Sequence, residues 1–336
     1  MGAPMVRYSK LPFRRLILSH GADVAFSPMI LADSFVSSSE ARDNEFTSDP
    51  KEDHPLVVQF AANKVQDFVD ASVLVAPYAE GVDLNCGCPQ SWALKEGIGA
   101  SLLQKPEFIC DVVKSTKSVI PYPDFSVSVK IRLHRDKRRT IDLCKAVENS
   151  GVDFITVHGR TKDQHSDPVD LEGVKMIKDA LSIPVVANGD IKSLDDAYRV
   201  REVTGVDGVM AARGLLENPA MYAGFDITPA KCILDWLKIS LEVGTPFQTF
   251  HHHLSYMLER SLSRNERKIF NALGSTASDE MRQRQAEAAE RRIKQEESRG
   301  LKDPESYKRK LMEKEKRENT AQNTSGEGGL KWTVSN

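Results

Sequence analysis

Residues 125–159, FSVSVKIRLHRDKRRTIDLCKAVENSGVDFITVHG, carry one full repeat of the pattern that decides the fold. A short β-branched run, FSVSVKIR, leads through a longer amphipathic stretch into a second such run, VDFITVHG, which is how parallel strands joined by a crossover helix read. The same alternation extends outward in both directions. APMV, DVAFSPMI, LVVQFAA and GVDLNC precede the repeat, and IPVVANGD and VDGVMAAR follow it. Eight runs in strict alternation over residues 1–225 specify the α/β class and a closed (β/α)8 TIM barrel in preference to an open doubly wound sheet. No G-x-G-x-x-G turn follows the first run, which argues in the same direction.

Beyond the barrel the composition changes. Residues 226–278 hold two stretches with helical periodicity, ITPAKCILDWLKISLEVG and FQTFHHHLSYMLERSLS, expected to form a small, partial helical domain. Residues 279–336 form a charged tail, expected to be a solvated helix or a disordered segment, because more than half of residues 279–318 are charged and apolar side chains are scattered. The whole chain of 336 residues has a net charge of −2, so it is not a polyelectrolyte binder throughout, and charge has to be read by region. Five cysteines without a metal-ligand repeat point to reduced thiols in a cytosolic or organellar interior and to no metal site, and the expected location is the cytoplasm, with the nucleus as the alternative. No apolar run is long enough for a membrane span.

In a barrel the strand ends converge on one face, where chemistry takes place. The polar residues Gln59, Asn85, Cys88, Lys130, Arg132, His158, Asn188, Asp190 and Arg213 all fall at such ends. A free cysteine is more often a small buried hydrophobe than a reactive group. For Cys88, however, the following Pro89 and the glycines 97 and 99 describe a mobile loop at a barrel mouth. Lys130 and Arg132 alternate on one strand, so they share a face, and a charge on the interior face of a barrel has to find a partner near the top. The small residues after the seventh and eighth strands, Asn188-Gly189-Asp190 and Ala211-Ala212-Arg213-Gly214, suit an anion approached by backbone N–H groups and completed by an arginine.

The segments APMVRYSKLPFR, DLNCGCPQ, GIGASLL, SVKIR, VHGRT, ANGDI and GVMAARG resemble, in order, the signatures of the tRNA-dihydrouridine synthases over residues 3–275, with most similarity to the eukaryotic subgroup called dihydrouridine synthase 4-like. The resemblance implies a flavin barrel that binds FMN, takes reducing equivalents from NADPH or NADH and reduces a uridine in tRNA. By matching position it implies Pro4, Met5, Val6, Gln59, Lys130, His158, Asn188, Gly189, Asp190, Ala212 and Arg213 at the cofactor, and Cys88 as the catalytic acid. Asn85, Arg132 and Arg160 are expected to face the substrate. Lys10, Arg14, Arg15, Arg132, Arg135, Lys137, Arg138 and Arg139 form a basic set suited to tRNA phosphates.

Two departures from the family pattern carry expectations of their own. Fewer residues precede APM than in the family, so the first strand is expected to be short, and the charged tail interrupts the helical domain that grips tRNA. The tail itself, with Arg282, Ala288, Ala289, Arg292 and the ending GGLKWTVS, resembles the small valosin-containing-protein-interacting protein, which implies binding to the valosin-containing AAA ATPase. Two alternatives stay open at this level: a flavin barrel acting on a free pyrimidine, and an adaptor whose working part is the tail.

Overall fold

The β-branched runs become strands that pair in one direction only. In chain order they are β1 (Ala25–Phe26), β2 (Ile30–Leu31), β3 (Leu56–Ala61), β4 (Gly81–Cys86), β5 (Ser126–Leu133), β6 (Phe154–Thr161), β7 (Val185–Asn188) and β8 (Gly208–Met210). The computed structural model describes residues 1–274. All pairings are parallel, in the order β1-β3-β4-β5-β6-β7-β8, with β2 also lying on β3.

Gly2 bridges Ala25 on one side and Ala211 on the other. Its N–H donates to the Val24 carbonyl at 2.8 Å, and the Ala3 N–H donates to the Ala211 carbonyl at 2.9 Å. These bonds join the first and last strands, so the ring closes through residues 1–3. The expected strand APMV is therefore corrected to a single bridge. Pro4 has no N–H for a ladder, and the Met5 carbonyl turns to accept the N–H groups of Tyr8 and Ser9 at 3.0 and 3.1 Å. The expected run DVAFSPMI is also two strands. Pro28 interrupts it, and the Ser27 hydroxyl takes over as acceptor for the Gln59 N–H at 3.0 Å.

Side-chain alternation separates two cores. Val58, Phe60, Val82, Leu84, Cys86, Val129, Ile131, Ile155 and Val157 point outward to the helices. Ala3, Phe26, Val57, Val186 and Met210 fill the floor of the barrel. After residue 225 the helices Ala230–Val243 and Phe247–Met257 pack through Trp236, which is fully buried, stacks on Phe250 at 6.2 Å and meets Phe13 of the helix Leu11–Ser19 edge-on at 6.5 Å. Residues Met1–Gly274 form one compact unit, so these helices belong to the same body as the barrel. The tail residues 279–336, with Arg282, Ala288, Ala289 and Arg292, lie outside the described residues. Among the described residues no helix is long and apolar enough to cross a membrane.

Candidate active site

Register decides which polar residues meet. Gln59 pairs with Asp83, Asp83 with Ser128, Asn85 with Lys130, Lys130 with Thr156, Arg132 with His158, and His158 with Asn188. Paired residues of a parallel sheet face the same side, so this set points into the barrel above its apolar floor. Lys130 Nζ donates to Asn188 Oδ1 at 2.8 Å, and Asn188 Nδ2 donates to the Met210 carbonyl at 2.8 Å. Burial pushes the Lys130 ammonium down to about 8, against the opposing pull of the Asp83 charge. Thr156 keeps a buried hydroxyl with no hydrogen-bond partner.

Above this layer lies a cavity of about 290 Å³. Arg132, His158, Arg160, Asn188, Gly189, Asp190, Ala212 and Arg213 all line it, together with His165 and Lys192, which sequence reasoning did not single out. Four cations, Arg132, Arg160, Lys192 and Arg213, face one carboxylate, Asp190. His158 is pushed down to about 2, first by burial and then by the charges of Lys130, Arg132, Arg160 and Arg213, so its imidazole is neutral at ordinary pH. Gly189 (φ 119°) and Asp190 (φ 52°) both have left-handed backbone. At Gly189 a Cβ would lie 2.5 Å from Val169 Cγ1 and 3.0 Å from the His158 ring, so only glycine lets this turn approach the imidazole.

The two neighbouring cysteines have opposite environments. Cys86 ends β4 facing the helices, fully buried, and burial followed by the Asp83 charge pushes its thiol well above the usual range. Cys88 lies two residues beyond, half-buried, at the mouth. Asn85 Oδ1 accepts the N–H groups of Gly87 at 3.1 Å and Cys88 at 2.9 Å, and the Cys88 carbonyl accepts the Ala100 N–H at 2.9 Å. A Cβ at Gly87 would meet the Arg132 side chain at 3.5 Å, so the turn lies next to a residue of the cation-lined cavity, while Cys88 itself packs on Ala61, Ala93 and Ile98 and is not among the lining residues.

Other residues named from the sequence fall elsewhere. Pro4, Met5 and Val6 follow the closing bridge and do not line the cavity, Val6 being exposed. Gln59 is buried, with its amide committed to Asp83 and Asn85. Arg132 donates to the Thr161 and Gln164 carbonyls at 2.8 and 3.0 Å, while the guanidinium of Arg160 is committed to Asp190 and the Asp167 carbonyl. In the basic set, Arg14 is buried against Asp53 and Arg15 pairs with Glu52 and Glu242, so neither presents a free charge at the mouth. Arg135, Arg138 and Arg139 are exposed. Sequence reasoning also missed Asp83, although the two-residue spacing Asp83-x-Asn85 on a strand is a signal that the pair shares a face.

Comparison with known proteins bears on this arrangement. The family model described as "Dihydrouridine synthase (Dus)" matches residues 1–317. The chain is 56% identical over 275 residues to the mouse protein "tRNA-dihydrouridine(20a/20b) synthase [NAD(P)+]-like", covering 82% of this chain and 85% of that one. It is 42% identical over 268 residues to "tRNA-dihydrouridine(20a/20b) synthase [NAD(P)+]" of Schizosaccharomyces pombe, covering 80% and 81% of the two chains. Among solved structures, the old yellow enzyme of Trypanosoma cruzi is similar with a TM-score of 0.52 at 12% identity, over 66% of this chain and 86% of that one, a likeness of fold. With a family model spanning most of its length and relatives of this identity, the chain belongs to the dihydrouridine synthase family.

Proposed function

We propose that the protein reduces a uridine of tRNA to 5,6-dihydrouridine, using NADPH or NADH as reductant and FMN as bound cofactor, at the 20a/20b positions named for its relatives. The observation that carries this reading is the placement of Cys88, whose backbone is fixed at the mouth beside a cavity with four cations and one carboxylate. That excess of positive charge fits an anionic phosphate ester, and the unpartnered Thr156 hydroxyl and the Lys130 amine offer donors below it. The residues present thus fit FMN, which when bound would supply the two-electron hydride chemistry that side chains lack.

The chain's own residues would then act as follows. Lys130, fixed by Asn188, holds a cation under the mouth. His158 stays neutral, with Nε2 accepting from Arg160 Nη1 at 3.4 Å, which leaves its other ring nitrogen as an N–H donor. Arg213, which is largely exposed, closes the anion site from its rim. A uracil stacked in RNA is out of reach, so it must be extruded into the mouth. As hydride arrives at C6, the Cys88 S–H gives its proton to C5, the C5=C6 double bond becomes single, and the thiolate regains a proton from water. Arg138 and Arg139 are exposed, as is Arg135, which pairs with Asp163, and charges so placed would suit phosphates, which favours a polymeric substrate over a free pyrimidine. A tRNA substrate is consistent with the cytoplasm or nucleus.

The test uses the full-length chain. The expected result is FMN released on heating and, with reduced nicotinamide dinucleotide, a uridine in unmodified tRNA that gains two hydrogens by mass spectrometry. Release of FAD, or turnover of free uracil in preference to tRNA, would overturn the reading.

For the tail we propose separately that residues 279–300 bind the amino-terminal domain of the valosin-containing AAA ATPase through Arg282, Ala288, Ala289 and Arg292. Motif spacing in the sequence is the support. Titration of that peptide and of its Arg292→Ala variant should show binding by the first and loss in the second, and equal binding by both would refute it.

A further inference from the structure

Asp83 is fully buried inside the barrel and does not line the cation-rich cavity. Its carboxylate accepts from Ser128 Oγ at 2.7 Å through one oxygen and from Gln59 Nε2 at 2.7 Å through the other. Gln59 Oε1 accepts from Asn85 Nδ2 at 2.8 Å, and Asn85 Oδ1 accepts the N–H groups of Gly87 and Cys88. The chain of bonds has a single allowed direction. An ionised carboxylate can only accept, so Gln59 must turn its NH₂ toward Asp83 and its carbonyl toward Asn85. Asn85 must then donate to Gln59, which leaves its own carbonyl oxygen for the loop.

We propose that Asp83 is a positioning residue for Cys88, fixing the thiol through two amide side chains whose orientation its carboxylate dictates. The geometry is what an amide relay requires. Each link is between 2.7 and 3.1 Å, and Gln59 and Asp83 have no access to water that would substitute for a missing partner. With an apolar residue at position 83, the Gln59 NH₂ loses the acceptor that fixes it, and its direction rests on Asn85 alone. Gln59 can then turn its NH₂ toward Asn85, Asn85 can turn its NH₂ toward the loop, and donors would oppose the Gly87 and Cys88 N–H groups.

The inference rests on the reading of Cys88 as proton donor only for its effect on activity. The experiment therefore has a second readout. In the full-length protein, the alkylation rate of Cys88 by iodoacetamide is followed by mass spectrometry of its peptide, beside kcat and KM on tRNA. Asp83→Asn, which keeps an acceptor for Gln59, should match the parent. Asp83→Leu should raise the alkylation rate by about tenfold and lower kcat by about tenfold with KM little changed, the order expected for a lost buried hydrogen-bond partner. Combined with Asn85→Leu, it should add nothing to the effect of Asn85→Leu alone.

Should Asp83→Leu fail to fold, Gln59→Leu cuts the same relay one link closer to the loop, and its alkylation rate must show the same non-additivity with Asn85→Leu. Independent, multiplying effects would overturn the proposal, as would an Asp83→Asn variant whose alkylation rises as far as that of Asp83→Leu. An altered alkylation rate in a protein that reduces no uridine would support the relay and count against the proposed function instead.

Discussion

Arg160 and Asp190 tie the ends of β6 and β7 together through one guanidinium nitrogen, Arg160 Nη2, which donates to both carboxylate oxygens at 2.8 and 2.6 Å. Asp190 has left-handed backbone, φ 52°, and the Arg160 side chain is almost fully buried, so the pair holds a strained turn at the edge of the cavity. Arg160→Lys keeps one charged donor for Asp190 but not the planar fork, whose Nε also donates to the Asp167 carbonyl and whose Nη1 reaches His158 Nε2. It should lower stability by about 1.5–3 kcal/mol, the worth of hydrogen bonds to charged groups, read as a lower urea midpoint at unchanged slope. A midpoint equal to the parent's would show that the fork is not holding the turn.

Cys88→Ala should leave the flavin bound and reducible by nicotinamide, while uridine reduction falls by about 10²–10⁴-fold, the usual worth of a positioned acid. Cys86→Ala should retain the chemistry and lose stability, since its fully buried side chain packs in the core between strands and helices. Stopped-flow reduction and tRNA turnover separate the two, and an inactive Cys86→Ala beside an active Cys88→Ala would reverse the assignment.

Burial and four surrounding cations depress the His158 pKa to about 2, well below its ordinary 6.5. The unfolded chain therefore takes up a proton below pH 6.5 that the folded chain refuses, so stability from this group is present above 6.5 and is lost as pH falls. His158→Gln should flatten that part of the acid destabilisation. Urea midpoints between about pH 5 and 7.5 check it, and parallel curves for variant and parent would mean that the folded imidazole titrates normally.

Gly99→Ala should be worse than Gly97→Ala, although both glycines have left-handed backbone, φ 62° and 73°. Alanine at either position carries a conformational cost of about 1–2 kcal/mol. At Gly99 the added Cβ would also meet the Cys88 carbonyl oxygen at 2.7 Å and the Cys88 Cβ at 2.9 Å, whereas at Gly97 it meets only the end of Lys105 at 3.9 Å. The expected outcome is a fall in uridine reduction for Gly99→Ala with flavin content intact, and near-parental turnover for Gly97→Ala. Equal turnover in the two variants would rule out a role for Gly99 in seating Cys88.

The sequence by itself determined the strand alternation, and with it which residues share a face. Lys130 and Arg132, like Asp83 and Asn85, are two apart on extended chain and so point the same way whatever surrounds them. It also determined the family, because DLNCGCPQ with its glycine loop is a local, contiguous signal. What each residue meets was decided only by the tertiary structure, since register is set by packing between segments far apart in the chain. Lys130 finds Asn188 across two strand pairings, Arg160 reaches Asp190, and Asp83 reaches Cys88 only by way of Gln59, which lies more than twenty residues earlier. The same is true of the basic set: Arg14 and Arg15 look like free charges in the sequence, and acidic partners brought by remote segments remove them from the mouth. The choice between the two cysteines follows the same logic. One step of alternation turns Cys86 toward the helices, and the end of the strand frees Cys88 from that alternation, so only the fold shows that one thiol is sealed and the other is half-exposed.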